Sequence, residues 1–191
     1  MRKGFITFAA AMLMALCSCG GANYGTKKTA AEFDTLMASA QALTGLVDHV
    51  KVDVTTTLEV TGEEKETATG HFDGYQKDVD PTSEEQMIAL MAVETFTYEY
   101  AKDAVIEGGI PADKVGYYAN DVPEYTMTLE YSASQSAEGV SMEITAKATY
   151  RWDAHGMVIF VDEASTVKMT VMGQTVETKA QVKLTGSYTY K

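Results

Sequence analysis

GVSMEITAKATYRW, residues 139–152, alternates with a period of two. Val140, Met142, Ile144, Ala146, Ala148, Tyr150 and Trp152 fall on one side, and Glu143, Thr145, Lys147, Thr149 and Arg151 on the other. Side chains of an extended strand point alternately to opposite faces, so this is a long strand with one apolar and one wet face. The stretch before it, EYTMTLEYSA (124–133), repeats the pattern with Tyr125, Met127, Leu129, Tyr131 and Ala133. Two such strands with a short glycine-bearing connection predict an antiparallel pair.

The same period runs outward in both directions. Asp153-Ala-His-Gly156 reads as a turn, and 157–172 as a more apolar strand with a bend near Asp162-Glu163. Gly173 turns the chain, after which Val176, Ala180, Val182, Leu184, Tyr188 and Tyr190 alternate with polar residues. Upstream, HVKVDVTTTLEVT (49–61) puts Val50, Val52, Val54, Leu58 and Val60 on one face, and 65–75 returns with Ala68, Gly70 and Phe72 inward. Helical spacing appears in two places. Thr29-Ala-Ala-Glu32 matches a capping box, and Phe33, Leu36, Met37, Ala40 and Leu43 follow as one stripe to Gly45, predicting a helix over 30–44. Asp80-Pro81 breaks the chain, and Thr82-Ser83-Glu84-Glu85 opens a second helix with Met87, Leu90 and Met91. FTYEY (96–100) alternates like a strand, whereas AKDAVIEGG ends like a helix at Gly108-Gly109. We read 83–107 as one helix. The expected fold is α+β: a curved, half-barrel-like antiparallel sheet of six to eight long strands, its apolar face covered by two amphipathic helices.

The amino terminus carries an address. Arg2 and Lys3 precede an apolar run from Phe5 to Leu16, the form of a signal peptide and too short for a permanent membrane helix. It ends Leu16-Cys17-Ser18-Cys19, which resembles the lipobox of bacterial lipoproteins with type II signal peptides: leucine three before an acceptor cysteine and a small residue just before it. The resemblance implies cleavage after Ser18 and a diacylglycerol thioether on Cys19, often with a further acyl chain such as palmitate on the new amino group. More than one chain is what firm anchoring needs. The implied organisation is a cleaved signal at 1–18, a flexible small-residue tether at 19–28 and a single domain at 29–191. The protein is then held to a bacterial membrane, facing the periplasm or the cell exterior.

Composition narrows the partners. The full chain has a formal charge of −12, and losing 1–18 removes Arg2 and Lys3 but no acid, leaving about −14. Such a surface repels phosphate backbones, so nucleic acid is not an expected partner. The domain has no cysteine beyond Cys19 and no disulfide to lean on. The C-x-C spacing fits neither a thiol oxidoreductase nor a zinc site.

Catalytic patterns are thin. His49, His71 and His155 lie far apart, on polar strand positions or in a turn, and predict no metal site. Ser165-Thr-Val-Lys168 matches S-x-x-K, but in a strand positions i and i+3 point apart, and the companion motifs are missing. Asp78-Val-Asp80 would open a calcium loop, yet Ser83 and Ala89 stand where glycine and glutamate belong. We expect no enzyme, cofactor or metal.

A lipid-anchored domain with a long one-sided sheet and amphipathic helices resembles, in architecture, the half-barrel lipoprotein carriers of the LolA/LolB and LppX-like types. That resemblance implies a hydrophobic ligand, a lipid or an acylated protein, between sheet and helices. The candidate lining is Tyr125, Met127, Leu129, Tyr131, Met142, Ile144, Tyr150 and Trp152. The other reading of the same residues is ordinary core, with the chain acting as a structural or protein-interaction module on the membrane surface.

Overall fold

The computed structural model describes residues 24–41, 45, 47–121, 124–137 and 139–191. The signal segment, Cys19, the first residues of the tether and the last turn expected for the first helix lie outside the described residues. What is described is α+β: one antiparallel sheet of eight strands, with three helices.

In chain order the elements are β1 (Thr26–Lys28), α1 (Ala30–Gln41), β2 (Val47–Val60), β3 (Glu66–Tyr75), α2 (Glu84–Thr95), α3 (Tyr98–Glu107), β4 (Val115–Ala119), β5 (Tyr125–Ala137), β6 (Val140–Trp152), β7 (Val158–Val171) and β8 (Gln174–Tyr190). Across the sheet the order is β1-β4-β5-β6-β7-β8-β2-β3. Strands β4 to β8 form a meander, and β2 joins at β8 with Val54 opposite Leu184. The alternation in 139–152 sets the register: Met127 pairs with Tyr150, and Tyr150 with Val161. All the apolar positions named above therefore share one face.

The capping box forms as written. The Thr29 backbone N–H donates to Glu32 Oε2 at 2.8 Å, and the Glu32 N–H donates to Thr29 Oγ1 at 3.3 Å. Phe33, Met37 and Ala40 turn inward from α1. Asp34 on its flank accepts from the Tyr98 hydroxyl at 2.6 Å and from Lys102 Nζ at 2.9 Å, tying α1 to α3. Helix α2 lies close on β3 because Gly70 has no side chain. A Cβ there would stand 2.5 Å from the Ala89 backbone nitrogen.

Three expectations need correction. The helix expected over 83–107 is two helices, so three rather than two cover the sheet. It breaks at Phe96-Thr97 because the Thr97 side chain accepts the Tyr100 N–H as an N-cap, and the Phe96 carbonyl accepts the Trp152 indole N–H at 3.0 Å. Residues 26–28, expected in the tether, form the edge strand β1, with Thr26 opposite Ala119. They hydrogen-bond along β4, a strand too short to show a clear period. The bend expected near Asp162-Glu163 is also absent. Strand β7 runs unbroken, and the irregularity lies at its start, where Arg151 faces Phe160 but Trp152 faces Val158.

Candidate functional site

Burial along the apolar face changes row by row. In the row of Tyr150 and Val161, both side chains are buried. Next come Ala148, Glu163 and Val182, then Ala146 and Ser165, all still buried. Ile144 and Val167 are half-buried. Beyond them Met169 is 44 % exposed, Val176 49 %, and Val140 and Val171 41 % each. The helices have ended, but the apolar alternation has not. The result is a floor of valine, methionine and isoleucine open to water, with Val60 half-buried in the Ile144 row on β2. Its inward positions on β6, β7 and β8 from Ile144 outward carry no charge.

The floor ends at the tip of the β7–β8 hairpin. Val171 pairs with Gln174, so Met172-Gly173 is a two-residue turn with φ of 51° and 81°. Turns of that hand favour Asn, Asp or Gly. Methionine here is both strained and 94 % exposed.

The eight candidate residues divide between the two halves. Met127, Leu129, Tyr150 and Trp152 are buried under the helices, with Tyr125 and Tyr131 half-buried against them. The space there is occupied by rings. Trp152 stacks on Tyr150 with centroids 5.9 Å apart, meets Tyr98 edge-on at 5.6 Å, and lies 6.5 Å from Phe33. Phe33 in turn meets Tyr98 and Tyr117. Only Met142 and Ile144 reach the open floor. Val140, Val167, Met169, Val171, Met172 and Val176 belong to it and were not among the candidates. Their signal was present, since the inward parity of Val167, Met169 and Val171 continues from Val161.

The same parity brings Glu163 inside, where it is 6 % exposed. The Tyr150 hydroxyl donates to its Oε2 at 2.8 Å. Burial raises the Glu163 carboxyl from the ordinary range to about 7, against the opposing pull of the Tyr150 bond. Burial and the nearby Glu163 carboxylate push Tyr100 up to about 12. Tyr150 is raised well above its usual value by burial first and Glu163 second.

The remaining titratable groups sit elsewhere. On the outer face of β2 and β3, His71 Nδ1 lies 2.7 Å from Asp53, and Asp73 lies between Lys51 at 2.8 Å and His49 at 3.3 Å. The Lys51 bond, the largest influence, holds the Asp73 carboxyl below its ordinary range. His155 stacks on Tyr190 at 3.6 Å. Among the described residues no group of three or more His, Cys, Asp or Glu side chains is placed to hold a metal. Ser165 is buried on the inner face, while Lys168 is exposed beside Glu177 on the other, so the S-x-x-K pair is split. No helix among the described residues is long and apolar enough to cross a membrane. No family model matches the chain, and no curated protein matches its sequence.

Proposed function

We propose that the protein is a lipid-anchored, non-enzymatic envelope lipoprotein that binds an apolar ligand on the open floor of its sheet. The occupant is an acyl chain, carried by a lipid or an acylated protein. One observation carries this: the apolar face runs past its helical cover as an uncharged surface reaching from Ile144 and Val167 to Val140, Val171 and Val176. A protein partner needs about one hydrogen bond per 100–200 Å² of interface. The floor offers few side chains for that, the inward Gln135, Gln174 and Thr178 being the polar ones. An acyl chain needs none, and methionine adapts to its shape.

The lipobox-like Leu16-Cys17-Ser18-Cys19 supports anchoring through Cys19. Strand β1, which follows the tether, sits at the Tyr125 end of the sheet, opposite the hairpin tips. Twelve steps of β5 separate those ends, about 40 Å at ~3.4 Å per residue. Strand β1, the described element next to the expected anchor, and the apolar floor are thus at opposite ends of the sheet. In the half-barrel carriers that the architecture resembles, the ligand lies between sheet and helices. Here the rings around Trp152 occupy that space, and the open floor takes its place in the proposal.

Photoactivatable phosphatidylcholine with a diazirine in its acyl chain tests this on the full-length chain in membranes. The expected adducts map to 140–144 and 167–176. Adducts confined to other segments, or none, defeat the proposal. Separately, Cys19→Ser is expected to move the protein to the soluble fraction. Retention after a salt wash would place the anchor elsewhere.

The ring-filled space under the helices favours a second reading, a structural or protein-interaction module with a solid core. Crosslinking in intact cells that joins the floor to one defined protein, with no lipid adduct, selects it.

A further inference from the structure

We propose that Glu163 is a proton-operated latch for the helical cover: with its carboxyl protonated the α2–α3 break seats on the sheet, and with it ionised the break lifts from the buried rows that lie inside the floor. The latch depends on the proposed function only for its purpose, since it adjoins the floor. Its test involves no ligand.

Glu163 stands two rows inside the open floor, beyond Ser165 and Val167. It lies within a clasp built from three elements. From β6, Tyr150 donates its hydroxyl to the carboxyl. The Tyr150 ring stacks on Trp152, whose indole N–H holds the Phe96 carbonyl at the break. From α3, the Tyr100 hydroxyl is raised by burial and, second, by the Glu163 charge, and its ring meets Phe96 edge-on at 5.6 Å. Phe96 itself lies 6.4 Å from Tyr150. The break between the helices and the buried carboxyl therefore share the same four aromatic side chains.

Among the described residues no Lys, Arg or His is paired with the carboxyl. The titratable groups coupled to it are Tyr150 of β6, through its hydrogen bond, and Tyr100 of α3, and its cross-strand neighbours are Ala148 of β6 and Val182 of β8. On α3, Lys102 is engaged by Asp34, and Glu99, Asp103 and Glu107 are exposed. On α2, Glu84, Glu85 and Glu94 are exposed. A protonated carboxyl suits this apolar setting. A carboxylate there needs further donors, as water or as the Tyr100 hydroxyl, and both require the cover to move. Two helices meeting at a capped break can move there without breaking their own ladders. The change falls near neutral pH because burial has moved the group to about 7.

Trp152 is the chain's one tryptophan and sits in the clasp, so its emission reports the latch. The full-length chain, reconstituted in phosphatidylcholine vesicles, is titrated from about pH 5 to about pH 8.5. Trp152 emission should shift reversibly to the red, and acrylamide quenching should rise severalfold, with a midpoint near 7. Glu163→Gln should hold the low-pH spectrum throughout. Tyr150→Phe should move the midpoint upward, because the lost hydrogen bond favoured the ionised form. Flat wild-type emission, or an unchanged titration in Glu163→Gln, overturns the proposal. Amide exchange needs no variant: corrected for intrinsic rates, residues 84–107 should exchange faster above the midpoint than below it. Equal protection also overturns the latch.

Discussion

The two halves of the apolar face are made of the same strands and differ in what lies above them. Under the helices, Trp152 and Met127 are fully buried and Leu129 is 2 % exposed. Farther along β6 and β7, Val140 and Met169 stand about two-fifths exposed. The two kinds of element also differ in reach. A twelve-residue helix such as α2 is about 18 Å long at ~1.5 Å per residue, whereas the seventeen residues of β8 span about 55 Å at ~3.3 Å per residue. Alternation therefore specifies which side of a strand is apolar and says nothing about how far the cover reaches. A pattern that continues beyond its cover leaves an exposed apolar patch, the kind of surface on which ligands and partners bind.

Removing one large side chain from each half should separate the two most widely. Trp152→Ala deletes a ring that touches Tyr150, Tyr98 and Phe33 and holds the Phe96 carbonyl. It should cost about 3–5 kcal/mol in urea denaturation. Met169→Ala should cost less than ~1 kcal/mol, since much of that side chain is already in water. Equal losses would mean that the open floor is covered in solution.

The next effect in size belongs to Glu163, buried under the cover. Its carboxyl ionises near 7 when folded and near the ordinary carboxyl value of 4.5 when unfolded. Between those values the unfolded chain has lost the proton that the folded chain keeps. Stability from this group is therefore whole below about pH 4.5 and falls as pH rises, reaching its floor above about 7. The full fall is on the order of 3 kcal/mol, since each tenfold change in the ionisation equilibrium is worth ~1.4 kcal/mol. Glu163→Gln should flatten this slope and make the variant more stable than wild type at about pH 8. Stability that rises for wild type over that window, with Glu163→Gln parallel to it, contradicts the assignment.

Glu163 also shows what the sequence could and could not convey. Its inward parity was readable from Val161 and Val167 on either side, yet an isolated glutamate between aspartate and alanine suggested a bend. The strand pattern, the capping box at Thr29 and the shared apolar face were legible because each depends on local spacing. The break at Phe96-Thr97 was not, because an indole from β6, 56 residues away in sequence, stabilises it. Nor was the split of the candidate lining. Tyr150 and Ile144 look alike in the alternation, and only the position of the helix ends separates them. Strand β1 was hidden for a similar reason: three polar residues pair because β4 happens to lie beside them.

A smaller effect is expected at the hairpin tip. Met172 holds a φ of 51° that asparagine adopts more readily. Met172→Asn should raise stability by about 0.5–1 kcal/mol while reducing acyl-lipid adducts at 167–176. A variant that gains stability and keeps its full adduct yield would remove the tip from the ligand surface.

The smallest effect on folding, at Val176, gives the clearest contrast, because one chemical change is made twice on one strand. Val176 and Val182 are both inward on β8, six residues apart, and differ in exposure: 49 % against 4 %. Replacing valine by threonine keeps the shape and exchanges one methyl for a hydroxyl. At 182 the hydroxyl is buried under the helices beside Glu163 and Thr56, and the change should cost about 1–3 kcal/mol unless one of them accepts it. At 176 the hydroxyl stays hydrated, and folding should change by less than ~0.5 kcal/mol. The cost at 176 should appear only when an acyl chain covers that position and strips its water, as a lower adduct yield at Met169 and its neighbours. If Val176→Thr leaves both folding and adducts untouched, the ligand does not reach the outer rows, and its contacts end at Ile144 and Val167.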